Sequence, residues 1–271
     1  MKTYRRALTI AGSDPSGGAG VQADLKTFSA LGCFGTSAIV AVVDENTVGV
    51  TGVHPIPVPF VTGQIHSVLD DIGTDAVKIG MLHSAELIAA VRATLDEYPD
   101  LRDIVLDPVM VATSGDPLLQ ADAVDALRTV LIPRARVITP NIPEASILLG
   151  RKLSKQDELP DAARRLSDAC GGVSVMLKAG HLHDELLVDV FYNAETDTVL
   201  RLESERLSTP NTHGTGCTLS SAFAASLAHG LSLDDAAAAA KDYIAAAIAA
   251  GSRYAIGHGH GPVHHFFKFW D

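Results

Sequence analysis

Short apolar runs alternate along the chain with longer stretches in which apolar residues recur every three or four positions. The short runs are almost continuously apolar, which is typical of strands buried on both faces of a sheet. They predict strands over residues 7–11, 38–43, 76–81, 104–109, 137–139 and 173–178. The periodic stretches predict helices over residues 21–31, 60–71, 85–98, 121–131, 143–149 and 159–169. This alternation predicts a parallel sheet covered by helices on both faces.

The pattern changes after residue 185. Residues 186–192 and 198–202 flank a polar turn, which predicts a hairpin with antiparallel strands at the edge of the sheet. Two alanine-rich helices are expected over residues 216–228 and 233–251. The proline-rich residues 55–59 are interpreted as a rigid connector, not as a domain boundary. We therefore expect one α/β domain over residues 1–271, a three-layer α/β/α sandwich around a central, mostly parallel sheet.

Composition and charge narrow the classes of function. The 271 residues are 47% hydrophobic and 20% charged, as in ordinary globular proteins, and the net charge of -11 argues against nonspecific nucleic-acid binding. The sequence contains no run of about 18 apolar residues, so no membrane span is expected. Three cysteines, Cys33, Cys170 and Cys217, fit a reduced compartment, and we expect a cytoplasmic protein. We place Cys33 and Cys170 with the helical patterns that end at residues 31 and 169, away from the carboxyl ends of the strands.

A glycine-rich segment, residues 12–20, follows the first predicted strand and opens the first helix. It matches neither the phosphate loop of nucleotide triphosphatases nor the dinucleotide fingerprint. Its glycines allow the backbone to approach a ligand closely, but they are equally compatible with a turn and a helix cap. Asp24 and Lys26, one turn into the helix, either reach the same cavity or are solvated.

A second glycine-rich segment contains Gly214, Thr215, Gly216 and Cys217 at the start of an alanine-rich helix. Free N–H groups and the helix dipole make such a start an anion site. Cys217 would lie in the first turn, where we expect the pKa of its thiol to fall. The alternative is a capped helix with a buried cysteine.

Three further segments carry candidate chemistry. Asn141 and Glu144, at a strand–helix junction, could share a hydrated magnesium ion, or could form a capping box. Lys178 ends a buried strand and is a candidate phosphate clamp. The histidine-rich residues 258–265 suggest metal binding, but Gly and Pro interrupt them and no cysteine joins them, so a structural tail is favoured.

Eight blocks in order along nearly the whole chain resemble the hydroxymethylpyrimidine/phosphomethylpyrimidine kinases of thiamine biosynthesis, which belong to the ribokinase-like superfamily. The blocks are residues 11–20, 22–27, 46–47, 78–82, 114–119, 140–145, 211–218 and 257–265. The resemblance implies a ribokinase-like fold, an ATP- and Mg²⁺-dependent kinase, and a homodimer. The implied reaction phosphorylates 4-amino-5-hydroxymethyl-2-methylpyrimidine and then its monophosphate.

The resemblance also implies two sets of site residues. The pyrimidine pocket would be formed by Ala19, Asp24, Val43, Glu45, Met81, Val109 and Cys217. The nucleotide side would be formed by Asn141, Glu144, Lys178 and residues 214–217. In the implied mechanism, Glu144 holds the magnesium ion, Lys178 offsets charge on ATP, the backbone of residues 214–217 holds the transferring phosphoryl group, and Cys217 takes the hydroxyl proton of the substrate.

The chain departs from the family pattern at Glu45, where the family usually has Gln. A Gln side chain both donates and accepts hydrogen bonds, whereas an ionised Glu only accepts them. Two alternatives to the pyrimidine kinase therefore stay open: a pyridoxal kinase with the same machinery, whose substrate hydroxyl could donate to Glu45, and a noncatalytic sensor of the pyrimidine. A second departure, Ala179 in place of Gly, is expected to have little effect.

Overall fold

An eight-stranded sheet and a separate two-stranded hairpin form the framework of the protein. The computed structural model describes residues 2–110, 121–182 and 184–271. Within these residues the strands are β1 (Arg5–Ala11), β2 (Cys33–Ile39), β3 (Ala41–Glu45), β4 (Val50–Pro55), β5 (Ala76–Ile79), β6 (Ile104–Leu106), β7 (Val137–Ile138), β8 (Ser174–Leu177), β9 (Leu186–Asn193) and β10 (Thr198–Glu205). The block at residues 114–119 lies outside the described residues.

Eight α-helices connect or cover these strands within the described part of the chain. They are α1 (Gly20–Ala30), α2 (Val58–Asp71), α3 (Ala85–Asp96), α4 (Ala121–Ala126), α5 (Ile142–Leu149), α6 (Leu159–Ala169), α7 (Thr215–Ala228) and α8 (Leu233–Gly251). The helix predicted over residues 121–131 is interrupted, because α4 passes at Leu127 into a π-helical turn that ends at Leu131. The other predicted helices agree with the structure to within about two residues at each end.

The main sheet has the order β10-β9-β8-β7-β6-β5-β1-β2. Strands β1, β2 and β5–β8 pair in parallel, whereas β9 pairs antiparallel with β8 and with β10. The predicted, mostly parallel sheet with an antiparallel hairpin at one edge is therefore confirmed. Because all six parallel strands point the same way, their carboxyl ends meet along one edge of the sheet.

The single strand predicted over residues 38–43 is wrong. Strand β2 begins at Cys33 and ends at Ile39, and the chain then leaves the main sheet, so that β3 pairs antiparallel with β4 instead. Cys33 accordingly lies in a strand and not in a helix. The physical reason is that β3 alternates buried and exposed residues, as a strand with one solvated face does. The break falls at Val40, because its N–H group still donates to Ala11 O in the main sheet, whereas its carbonyl oxygen accepts from Ile56 N after β4.

Two apolar cores lie on opposite faces of the sheet. One packs α2, α3, α5 and α6 against one face through side chains such as Ile65 and Leu87. The other packs α1, α7 and α8 against the opposite face through Phe28 and Phe223. The expected three-layer α/β/α arrangement is confirmed, with α1 and α7 adjacent in the second helical layer.

The C-terminal segment after α8 ties the hairpin to the body of the protein. His260 N donates to Thr47 O in the β3–β4 turn at 2.7 Å, and His264 N donates to Ala247 O at 3.0 Å. His213 N donates to Gly261 O, also at 3.0 Å. These backbone contacts support the structural interpretation of the histidine-rich tail.

Across the described ranges, no helix combines the length and the apolar character that a membrane crossing requires.

Candidate active site

A cavity of about 910 Å³ opens at the carboxyl ends of the parallel strands, beneath the β3–β4 hairpin. Ligands bind at this edge in open α/β sheets. The expected site residues that line it are Ala19, Val43, Glu45, Met81, Val109, Asn141, Glu144, Lys178, Gly214, Thr215, Gly216 and Cys217. The structure therefore brings both implied sets of residues, except Asp24, into one cavity.

The start of helix α7 forms the middle of the cavity wall. Gly214 has a φ of +76°, and a Cβ atom there would collide with the carbonyl oxygen of Gly18, so the two glycine-rich segments touch through backbone atoms. The first helical bond runs from Thr218 N to Gly214 O at 2.9 Å. The N–H groups of Gly216 and Cys217 precede it and have no partner within the helix. This arrangement can hold an anion.

Lys178 lies beside this helix start. Its Nζ donates to Asp107 Oδ1 at 2.9 Å, and Thr139 Oγ1 donates to the same oxygen at 2.9 Å. A Cβ atom at Gly216 would lie 3.3 Å from both Lys178 Nζ and Asp107 Oδ2, which shows how closely the backbone of α7 approaches the pair. Burial alone would lower the pKa of Lys178, but the charges of Asp107 and Glu144 raise it. The lysine is therefore a permanent cation at the site.

Sequence reasoning gave no role to Asp107 or Thr139. The available signal was the position of Asp107 at the end of a buried apolar run, at the same edge of the sheet as Lys178 and two strands away from it. An aspartate in that place needs a partner, because an unpaired buried carboxylate is costly.

Asn141 and Glu144 form the capping box of α5. Glu144 N donates to Asn141 Oδ1 at 2.9 Å, and Asn141 N donates to Glu144 Oε2 at 2.8 Å. Burial, with a smaller contribution from Asp107, raises the pKa of Glu144 to about 7 against the opposing effect of Lys178. The capping alternative is therefore present, and the amide oxygen of Asn141 is already occupied.

The same geometry also fits a hydrated magnesium ion at Glu144. Mg²⁺ keeps several waters and takes only one or two carboxylates in addition to substrate phosphates. Glu144 lines the cavity, and its carboxylate is oriented by the hydrogen bond that it accepts from Asn141 N. Asn141 fits the role of positioning this carboxylate better than that of a second ligand.

The expected fall in the pKa of the Cys217 thiol is contradicted. Burial raises the pKa to about 11, and the nearby carboxylates of Asp24 and Asp107 act in the same direction. The charge of Lys78 and the N–H group of Gly20 oppose this effect without outweighing it. Burial and like-charge effects therefore exceed the influence of the helix start, and Cys217 is a neutral thiol at pH 7.

Asp24 lies behind the cavity wall and does not line the cavity. Its carboxylate accepts hydrogen bonds from Thr9 Oγ1 at 2.6 Å and from Ser221 Oγ at 2.7 Å, and both of its oxygens lie 2.9 Å from Lys78 Nζ. The expectation that Asp24 contacts substrate is not supported by this placement. Lys26 also points away, because its Nζ donates to Gly17 O at 2.7 Å.

Asp14 holds the first glycine-rich segment in shape. Its carboxylate accepts hydrogen bonds from the N–H groups of Ser16 (2.8 Å), Gly18 (3.1 Å) and Ala19 (2.6 Å), and from Nε2 of His213 (2.8 Å). Burial opposes ionisation, but these hydrogen bonds hold the pKa of Asp14 far below its usual range. Sequence reasoning gave no role to Asp14 or His213; the Asp-x-Ser spacing, typical of an Asx turn, was the available signal for Asp14.

Glu45 comes from the hairpin and faces the cavity near His213, with Oε1 4.0 Å from His213 Nε2. Burial raises the pKa of Glu45, and the charge of Asp14 adds to this effect, while His213 opposes it. For His213, burial would lower the pKa, but the hydrogen bond and charge of Asp14 and the charge of Glu45 raise it. Glu45 therefore accepts a proton more readily than an exposed glutamate.

The chain is similar to known proteins both in sequence and in structure. The family described as phosphomethylpyrimidine kinase matches residues 14–264. A hydroxymethylpyrimidine/phosphomethylpyrimidine kinase of Rhizobium meliloti is 48% identical over 265 residues, covering 97% of this chain and 98% of the relative. The enzyme of the same name from Escherichia coli is 46% identical over 266 residues, with the same coverage.

Solved structures of two kinds of kinase share the fold. The ADP complex of Bacillus subtilis pyridoxal kinase is 40% identical with a TM-score of 0.88, covering 98% of this chain and 100% of that one. Phosphomethylpyrimidine kinase from Clostridium difficile is 40% identical with a TM-score of 0.77, covering 88% and 97%. Staphylococcus aureus pyridoxal kinase with AMP-PCP and pyridoxal is 34% identical with a TM-score of 0.87, covering 99% and 96%. The match over nearly the whole chain shows that this protein is a kinase that belongs to the phosphomethylpyrimidine kinase family.

Proposed function

We propose that this protein transfers the γ-phosphoryl group of ATP to the hydroxyl group of 4-amino-5-hydroxymethyl-2-methylpyrimidine, and then a second phosphoryl group to the monophosphate, in thiamine biosynthesis. The observation that carries this proposal is the position of the α7 start. Its free N–H groups, Cys217 and Lys178 line the same cavity as the apolar side chains of Val43, Met81 and Val109 and the carboxylate of Glu144. A volume of about 910 Å³ is large enough for a small ring and a nucleotide together.

The ring end of the cavity is formed by Ala19, Val43, Met81 and Val109, with Glu45 as its charged side chain. The apolar side chains would enclose the pyrimidine, and Glu45 would accept a hydrogen bond from its exocyclic amine. Because the pKa of Glu45 is raised, its protonated form could also donate to a ring nitrogen. The substitution of Glu for the usual Gln is thus compatible with an aminopyrimidine.

At the phosphate end, positioning and charge neutralisation would do most of the catalysis, since phosphoryl transfer needs little covalent chemistry from the protein. The N–H groups of Gly216 and Cys217 would bind oxygens of the transferring group, and Lys178 would offset charge that develops between the β- and γ-phosphates. Glu144, oriented by Asn141, would hold Mg²⁺ through its waters. When bound, that ion neutralises phosphate charge.

Cys217 is proposed to accept the proton of the substrate hydroxyl group. With a pKa of about 11, only about one thiol in 10⁴ is ionised at pH 7, so the thiolate and the rate of this step should rise with pH. The second phosphorylation differs, because a phosphomonoester with a second pKa near 6 is already largely ionised at pH 7. Cys217 should therefore matter more for the first transfer than for the second.

Pyridoxal is the second candidate substrate. Two of the compared structures belong to pyridoxal kinases, and Glu45 could accept a hydrogen bond from the phenolic hydroxyl group of pyridoxal. A noncatalytic sensor is disfavoured, because a sensor would need neither the paired Lys178 nor the free helix start.

Three further properties are proposed with this function. The whole chain would act as one domain, since residues from β1 to α8 line the same cavity. A homodimer would cover exposed apolar side chains of the hairpin, of which Val48 is 71% exposed. The cytoplasm suits three free cysteines, one of them in the cavity wall.

The test is product analysis with the purified protein, ATP and Mg²⁺. The aminopyrimidine should be converted to the monophosphate and then the diphosphate, both identified by mass spectrometry. Phosphorylation of pyridoxal alone would establish the second candidate, and tight binding of the pyrimidine without any product would establish the sensor.

A further inference from the structure

Two buried lysine–aspartate pairs border the start of α7. One is Lys178–Asp107, which has a place in the proposed transfer. The other is Lys78–Asp24, with Nζ 2.9 Å from each carboxylate oxygen and both side chains fully buried. Lys78 borders the same cavity as Cys217. No step described so far uses this second pair.

The packing of α1 against α7 places the Lys78–Asp24 pair one helical turn from the thiol. Gly20, at the start of α1, and Cys217, in the first turn of α7, line the same cavity, and the N–H group of Gly20 favours the thiolate. Four residues further along each helix, Ser221 Oγ donates to Asp24 Oδ1 at 2.7 Å. Residues four apart lie on the same helical face, about 6 Å along the axis. Because both oxygens of Asp24 lie 2.9 Å from Lys78 Nζ, the ammonium group is held beside the turn of α7 that follows Cys217.

We propose that Lys78 is a positioning residue that stabilises the thiolate of Cys217 through its charge, and that the carboxylate of Asp24 partly offsets this effect. The role of Cys217 in proton transfer comes from the proposed function, and the effect of Lys78 on the thiol can be measured without it.

The charges around the thiol favour this assignment. Burial would lower the pKa of Lys78, but the charge of Asp24 raises it, so the ammonium group stays protonated in the wall. Among the charged groups around the thiol, Lys78 favours the thiolate, whereas Asp24 on α1 and Asp107 after β6 each disfavour it. Lys178, after β8, lies beside Gly216 on the other side. An opposite charge at about 4–6 Å stabilises the ionised form.

The experiment measures iodoacetamide labelling of Cys217 in the ligand-free protein between pH 7 and 11, read by mass spectrometry of the peptide. Lys78→Met should slow labelling at pH 8 by at least about tenfold, which corresponds to a pKa shift of one unit. Asp24→Asn should accelerate it by about threefold or more, since it removes a negative charge and leaves the ammonium group. A loss of structure would move both variants in the same direction, so opposite signs identify an electrostatic effect.

The matched control is Lys241→Met. Lys241 forms a third buried pair, with Nζ 2.7 Å from Asp189 Oδ2, between α8 and β9. This variant loses a buried pair of the same kind, but it should leave the labelling profile of Cys217 within about twofold of the wild type. Near-UV circular dichroism of each variant reports whether the core is packed.

The double variant Lys78→Met/Asp24→Asn removes both charges of the pair, so it leaves no unpaired charge in the core. It provides the test if Lys78→Met alone does not fold. It should label more slowly than the wild type, because the influence of Lys78 exceeds that of Asp24. The role of Lys78 would be overturned if the double variant is labelled at or above the wild-type rate. It would also be overturned if Asp24→Asn is labelled no faster than the wild type. Since no ATP or substrate is present, absence of kinase activity would leave this result intact.

Discussion

The two ends of the cavity are assembled in different ways. The phosphate end lies on the main sheet: Lys178 follows β8, Asp107 follows β6, and the start of α7 closely approaches both side chains at Gly216. The ring end depends on the β3–β4 hairpin, which is outside the main sheet and carries Glu45. Under the proposed function, the chemistry would depend on the main sheet, whereas substrate preference would depend on a separate hairpin.

The hairpin is nevertheless fixed from two sides. The C-terminal segment donates a hydrogen bond to Thr47 in its turn, and Ser13 Oγ accepts one from Val43 N at 3.1 Å. Through Asp14 and His213, the glycine-rich segment also joins the two ends. Glu45 and Lys178 nevertheless belong to different elements. A substitution of Glu45 should therefore change substrate preference, and a substitution of Lys178 should change turnover, while the fold of the other end persists.

The largest effect is expected at Cys217, where the two ends meet. Cys217→Ala should lower kcat for the first phosphorylation by about 10²–10⁴-fold, the usual contribution of a general base, while MgATP still binds. Cys217→Asp should retain more activity than Cys217→Ala. The wild-type kcat should rise as the pH rises from 7 towards the thiol pKa of about 11, and the aspartate variant should lack this rise.

The control for this prediction is Cys170→Ala, which removes a buried thiol at the end of α6. Rapid-quench kinetics with separate measurement of the two phosphorylations would also show a smaller loss for the second. A kcat of Cys217→Ala within about twofold of the wild type would leave positioning alone as the mechanism.

The next largest effect is expected at the phosphate end. Lys178→Ala should lower kcat by about 10²–10³-fold for every acceptor, because transition-state charge on the phosphates exceeds ground-state charge. Binding of the pyrimidine, measured by calorimetry, should change little. The exposed Lys152→Ala provides the matched control, and a variant with normal turnover but lost pyrimidine binding would place Lys178 at the wrong end.

A smaller effect is expected at the ring end. Glu45→Gln restores a donor as well as an acceptor, and it should keep or improve activity on the aminopyrimidine at the expense of pyridoxal. A change in one hydrogen bond to a charged group is worth about 1–3 kcal/mol, or about 5- to 150-fold in the ratio of kcat/KM values. An unchanged ratio would show that Glu45 does not contact the ring.

The smallest effect concerns the link between the two ends. The pKa of His213 is raised in the folded protein, chiefly by Asp14 against the effect of burial, so its stabilising contribution is present in full below pH 6.5, the ordinary value. It is lost as the pH rises through the raised value. His213→Asn should thus lower the free energy of unfolding by about 1–3 kcal/mol at pH 6 and by less at pH 9. Equal losses at both pH values would show that the charge of His213 does not contribute.

The sequence predicts the phosphate end far better than the ring end. Buried parallel strands have apolar runs that identify them, and polar residues after those runs must meet at one edge, so Lys178 and Glu144 could be placed at the site. The hairpin has no such constraint. Its first strand begins one residue after the end of β2. The apolar run over residues 38–43 continues across this break, so the hydrophobic pattern does not indicate that one strand ends and another begins.

Electrostatic properties were the least predictable part of the site. The position of Cys217 at a helix start could be read from residues 214–217, but the pKa of its thiol depends on burial and on carboxylates from two other segments. Likewise, Asp24 belongs to α1, and its partners come from β1, β5 and α7. Its position behind the cavity wall therefore depends on how these four elements pack together. Burial and contacts between distant segments are known only from the three-dimensional structure.

The separation of the two ends is tested most directly by the ratio of kcat/KM for the aminopyrimidine to kcat/KM for pyridoxal in the wild type, Lys178→Ala and Glu45→Gln. Lys178→Ala should lower both values and leave their ratio within about twofold of the wild type, while Glu45→Gln should shift the ratio towards the pyrimidine by about 5-fold or more. A ratio that moves in Lys178→Ala and stays constant in Glu45→Gln would contradict the assignment of chemistry to the sheet and of substrate preference to the hairpin.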